Sequence, residues 1–146
     1  MNKIISKNYS TEVKKNMSNE NKLSLFLKLW GPVCIWSLLI FILSNQPNLT
    51  LNLPNEFIIR KLTHAVEYAV LTFLFFRALY NSQRKTSASP IYFKKYCIVL
   101  SFIIVLLFAV SDEFHQTFVL GRQGTPYDVM IDSLGMMVAG LILVKK

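Results

Sequence analysis

Four apolar runs in this chain are long enough to cross a bilayer, and they constrain its fold more than any other feature. They cover residues 23–43, 62–80, 96–110 and 127–144, and the third continues helically through Asp112 and Glu113. A run of about 20 residues rising 1.5 Å per residue makes about 30 Å of helix, the thickness of the hydrocarbon layer. Inside lipid each backbone N–H and C=O must find a partner within its own segment, which makes every run a helix. Residues 1–22 are polar, rich in Lys and Asn, and lack periodic apolar positions. They read as a flexible cytoplasmic tail, followed by a four-span domain over 23–146. No small-x-small cleavage site follows the first run, so an uncleaved span is expected rather than a signal peptide. The expected fold is all-α, an integral membrane four-helix bundle.

Charge sets the orientation of that bundle. A net charge of +8 on its own would suggest nucleic acid as a partner. The chain is, however, 53% hydrophobic with a mean hydropathy of +0.40, too apolar for a soluble domain of 146 residues. Its basic residues flank the apolar runs instead of clustering on a face, which excludes nucleic acid and marks membrane topology. Of the 16 Lys and Arg residues, all but Arg60, Lys61 and Arg122 fall in the N-terminal segment, the second connection with its edges, or the C-terminus. The positive-inside rule then places both termini in the cytoplasm and the first and third connections outside. The expected location is the cytoplasmic membrane, crossed several times. Glu56, Glu67, Asp112, Glu113, Asp128 and Asp132 collect at the outward ends of the helices. Acidic residues contribute little to orientation, so topology does not account for this cluster.

Ionisable groups in or beside a span cost about 2.5–3.5 kcal/mol each on insertion scales, and they mark functional sites by default. The stretch 111–132 concentrates them between the third and fourth runs. On a helix, Lys61, His64 and Tyr68 share one face with Glu67 on its shoulder. Asp112, His115 and Gln116 share a face of the third helix by the same spacing, with Glu113 to the side. The fourth helix opens with Thr125 as N-cap, Pro126 at its first position and Asp128 three residues after the cap. Asp132 lies on a stripe with Gly135 and Ala139, small residues that let a neighbouring helix approach, so it is expected to face protein. Between these helices Phe118, Val119 and Leu120 precede Gly121 and Arg122, a turn suited to the headgroup layer. The planar fork of Arg122 would there meet a phosphate or a carboxylate. Ser44, Asn45, Gln46 and Pro47 close the first helix on the same side and add neutral hydrogen-bonding groups.

Each of these residues also has a purely structural reading. Asp128 complements the helix dipole, Lys61 anchors at the interface, and His64 with Glu67 forms a polar clasp between helices. Asp112, Glu113 and His115 mark the water boundary of the third helix. Three helices offering polar faces at one depth argue for a shared pocket. Cys34 and Cys97 both fall within spans and show no disulfide or zinc spacing, so they read as packing residues.

Two blocks of the sequence resemble the VanZ-like family of small membrane proteins. One is Lys61-x-x-His64-x-x-Glu67-Tyr68, preceded by the Ser44-Asn45-Gln46-Pro47 turn. The other is Asp112-Glu113-x-His115-Gln116 followed by Gly121-Arg122, Asp128, Gly135 and Ala139-Gly140. With the spans between them they cover roughly residues 30–144. Family members often carry asparagine where this chain has Asp132. The resemblance implies a bacterial cytoplasmic-membrane protein of the cell envelope, linked through the family's namesake to resistance against the glycopeptide antibiotic teicoplanin.

Two functions are weighed on this basis. One is a non-enzymatic envelope factor whose outward pocket engages membrane lipids, a lipid-linked envelope precursor or a lipoglycopeptide, with Lys61, Gln116, Arg122, Asp128 and Asp132 as binding residues. The other is a hydrolase or transferase acting on a lipid-linked envelope substrate, with catalytic candidates His64, Glu67, Asp112, Glu113 and His115. A glutamate beside a histidine would serve as general base and Arg122 would stabilise developing negative charge. Paired carboxylates near an imidazole suit a divalent metal as well, but no metal-ligand spacing is present, no metal ligand is assigned and no cofactor is indicated. A transporter fits less well, since the ionisable groups sit at one end of the spans and no inverted repeat is evident.

Overall fold

The structure is a computed structural model that describes the backbone of residues 2–46, 56–83, 89–122 and 124–145, with side chains described except at 2–21, 56–57 and 83. Four helices follow in order: α1 (Asn2–Ser44), α2 (Glu56–Gln83), α3 (Pro90–Gln116) and α4 (Pro126–Lys145). Among the described residues there is no strand. The segments Lys22–Ser44, Ile58–Ser82, Pro90–Gln116 and Pro126–Lys145 are each long and apolar enough to cross a membrane. The all-α, four-span fold is the one the apolar runs dictate. Helical backbone in α1 starts at Asn2, so it runs through the segment whose composition reads as a flexible tail. Pro47 lies outside the described residues.

The surface is apolar where lipid would touch it. Ile35 is 70% exposed, Leu107 66% and Leu141 63%, values that would drive aggregation in water but suit a hydrocarbon surround. The buried stripes are narrow. In α1 they run through Leu29, Val33, Ile40 and Ser44, and in α3 through Cys97, Ser101, Val105 and Ala109, spaced by four residues. In α4 the stripe is Asp132, Gly135, Met136, Ala139 and Leu143. Gly135 and Ala139 are the small residues in it, of the kind expected where helices must approach closely without a hydrophobic driving force.

Helix α2 is the central element, packing against α1, α3 and most extensively α4. The backbones of α2 and α4 approach tightly at Gly135, where a Cβ atom would overlap the Ala65 carbonyl. Contact between α1 and α2 combines apolar packing of Leu29, Val33 and Ile40 with polar hooks. Pro32 has no N–H to offer, which leaves the Lys28 carbonyl without its i+4 donor. The Arg77 guanidinium of α2 supplies one, donating to that carbonyl at 2.8 Å. Eight residues further along α1, the Trp36 indole N–H donates to the Glu67 carbonyl at 3.0 Å. These contacts set the height of α1 against α2.

Candidate functional site

Because neighbouring helices run antiparallel, the starts of α2 and α4 and the end of α3 meet at one end of the bundle. They enclose a cavity of about 710 Å³. Its wall takes Arg60, Lys61 and His64 from α2, Glu113 and Gln116 from α3, Gly121 and Arg122 from the connection, and Thr125, Tyr127, Asp128, Ile131 and Asp132 from the connection and α4. Seven of the residues singled out from sequence therefore converge: Lys61, His64, Glu113, Gln116, Arg122, Asp128 and Asp132.

The start of α4 is built as its sequence pattern requires. The Asp128 N–H donates to the Thr125 hydroxyl at 3.3 Å, and that hydroxyl donates to the Asp128 carboxylate at 2.8 Å. Asp128 is also ion-paired with Lys61 across the mouth of the cavity. The Lys61 ammonium lies 4.9 Å from the centre of the Tyr127 ring, within cation–π range. Both partners of the ion pair are about one-fifth exposed, so solvent screens it only in part.

Arg122 is held by backbone. Its guanidinium donates to the Leu43 carbonyl at 2.8 Å and to the Gln46 carbonyl at 3.2 Å, tying the α3–α4 connection to the end of α1. Gly121 precedes it with a φ of 80°, a left-handed conformation that glycine adopts without Cβ strain. Burial, and then the neighbouring Arg60, pull the Arg122 side chain below its ordinary pKa. A guanidinium starts so high that it stays charged near neutrality. Phe118 and Leu120 at the loop tip are 73% and 85% exposed, an apolar tip beside a charged wall.

Asp112 lies beneath the cavity and does not line it. One carboxylate oxygen accepts from the Ser44 hydroxyl at 2.7 Å, the Gln116 amide at 3.0 Å and the Tyr68 hydroxyl at 3.2 Å, joining α1, α2 and α3. Glu67 is buried and likewise absent from the cavity wall. Glu113 is oriented from two sides, accepting from the Gln116 amide and from the Thr125 backbone N–H, both at 3.2 Å. His115 turns away toward α1, where its ring lies 4.9 Å from the Phe41 ring and 3.4 Å from the Asn45 side-chain oxygen. The buried face at this end of α3 is thus Asp112, Glu113 and Gln116, rather than the expected Asp112, His115 and Gln116.

Three wall residues, Arg60, Tyr127 and Ile131, were not among the sequence candidates. Each is adjacent in sequence to a residue that was. A helix turn places neighbours about 100° apart, which is still within reach of a wide cavity mouth.

A helical membrane protein with a polar cavity closed by three of its four spans is the class that this fold and site define. The sequence matches the family described as VanZ/LLP1 over residues 4–145, nearly its whole length, and the chain belongs to that family. No curated protein and no solved structure matches it at a significant level.

Proposed function

We propose that this VanZ/LLP1 family member is a cell-envelope factor of the bacterial cytoplasmic membrane, with both termini inside and its cavity open toward the outer leaflet. There it engages the anionic headgroup of an envelope lipid or lipid-linked precursor, and in doing so lowers the effect of teicoplanin. One observation carries the reading: Arg60, Lys61 and Arg122 converge with the neutral donors Gln116 and Thr125 on one cavity at one end of the bundle. Those three are the basic residues that the topology argument separates from all the others. Planar guanidinium groups and an ammonium suit phosphate and carboxylate oxygens. The exposed Phe118 and Leu120 beside them suit the acyl boundary below a headgroup.

Reporter fusions after residues 50 and 122 are expected to signal from outside, and one after residue 88 from the cytoplasm. Reversed signals would overturn the orientation. Expression in a sensitive host is expected to raise teicoplanin tolerance more than vancomycin tolerance. Unchanged tolerance with the protein verified in the membrane would rule out the resistance role. A second reading, a hydrolase or transferase acting on a lipid-linked substrate, draws support from His64 and Glu113 sharing the cavity wall, an imidazole and a carboxylate suited to moving a proton.

A further inference from the structure

We propose that His64, Glu113 and Asp132 form a divalent-metal site in the cavity wall. A ring nitrogen of His64 and one carboxylate oxygen from each acid lie within 4.8 Å of one another. Bonds of about 2.0–2.4 Å from a common ion put two ligand atoms no more than about 4–4.8 Å apart, so the three atoms are gathered at ligating separation.

Proximity of acids alone would mean little. Asp132 adds an independent observation, because its side chain is 1% exposed, it lines the cavity, and neither of its carboxylate oxygens has a hydrogen-bond partner. A buried carboxylate without hydrogen bonds is costly by several kcal/mol, on the order of the desolvation penalty of an ion. The Nδ1 atom of His64 is also buried without a partner. Asp132 and His64, on two helices, thus each carry unpartnered buried polar atoms, and each offers one ligand atom to the same cluster, where a cation would supply a partner. Lys61 is ion-paired with Asp128. Glu113 shows the support expected of a ligand, since the Gln116 amide and the Thr125 N–H fix its carboxylate. The formal charges also balance, with two carboxylates and a neutral imidazole against a dication.

One nitrogen and two carboxylates form a borderline donor set, suited to Zn²⁺ or Mn²⁺ more than to the all-oxygen preference of Ca²⁺ and Mg²⁺. Three protein ligands would leave at least one position open, and because all three residues line the cavity, water or an anionic oxygen in it could bind there. The site stands whether or not the cavity serves teicoplanin tolerance, because it rests on these three side chains alone.

The full-length, tag-free protein in detergent, purified from cells and also reconstituted with Zn²⁺ or Mn²⁺, is the sample for the test. Metal analysis is expected to find about one equivalent per chain. Chelation is expected to lower the thermal midpoint of the wild-type protein, and returning the metal to restore it. The near-isosteric variants Asp132→Asn, His64→Gln and Glu113→Gln are each expected to hold less than about a tenth of an equivalent and to show midpoints unresponsive to chelator. The chelation experiment needs no variant to fold. A wild-type chain without stoichiometric metal after reconstitution would overturn the site, as would full metal retention by Asp132→Asn.

Discussion

Gly135→Ala is expected to unfold or misassemble the bundle, a large effect for one added methyl group. The Cβ would overlap the Ala65 carbonyl, which belongs to the backbone of α2 and has no rotamer to escape by. Relief requires the two most extensively packed helices to separate along their length. Ordinary overpacking costs about 1–3 kcal/mol, and a clash with backbone at a helix crossing belongs at or above the upper end of that range. Gly140→Ala is the matched control. Its Cβ would meet only the Ile98 side chain at 3.9 Å, an ordinary contact, so helix propensity should leave it neutral or up to about 1 kcal/mol more stable. Yield of monodisperse protein in detergent and its thermal midpoint measure both. Equal behaviour of the two variants would contradict the crossing described here.

Asp112→Ala is expected to cost about 2 kcal/mol, because three donors lose one acceptor together. Hydrogen bonds between helices in lipid average about 0.6 kcal/mol by double-mutant cycles, so three contribute about 2 kcal/mol. The buried Ser44 and Tyr68 hydroxyls would then lack the partner that holds α1 to α3. Asp112→Asn keeps a carbonyl acceptor in place and should lose markedly less. The membrane abundance of Asp112→Ala is expected to fall in parallel with function. Normal abundance with abolished function would instead give Asp112 a direct part in chemistry, and would favour the enzyme reading.

Much of the fold was legible because lipid removes alternatives: an apolar run that cannot leave its backbone unpaired becomes a helix. The capped start of α4 was legible too, since Thr125, Pro126 and Asp128 carry their reason within four residues. Pairings across 67 residues, such as Lys61 with Asp128, have no local signature. The buried face of α3 lies one position away from the face that its charged residues mark. Centring the polar face on Asp112 brings in His115, about 60° to one side. Continuing the small, buried stripe through Val105 and Ala109 at about 100° per residue lands instead between Asp112 and Glu113, with Gln116 in the middle. The packing stripe held the answer that the spacing of charged residues obscured. The segment 2–22 shows a different limit: composition describes its polarity, and the structure continues α1 through it.

The hooks along α1 have a further consequence. Lys28, Trp36 and Ser44 are each eight residues apart; the first two meet α2 and the third meets α3, each through a different group: a carbonyl freed by Pro32, an indole N–H and a hydroxyl. Sliding α1 by one residue would move it 1.5 Å and turn it by about 100°, breaking all three together. The same slip would turn the buried stripe of Leu29, Val33 and Ile40 out of the core. The three contacts work as a key cut to one depth and one angle, and the end of that key is Leu43 and Gln46, where Arg122 is fastened. The vertical position of the first span thus sets where the cavity's arginine can stand.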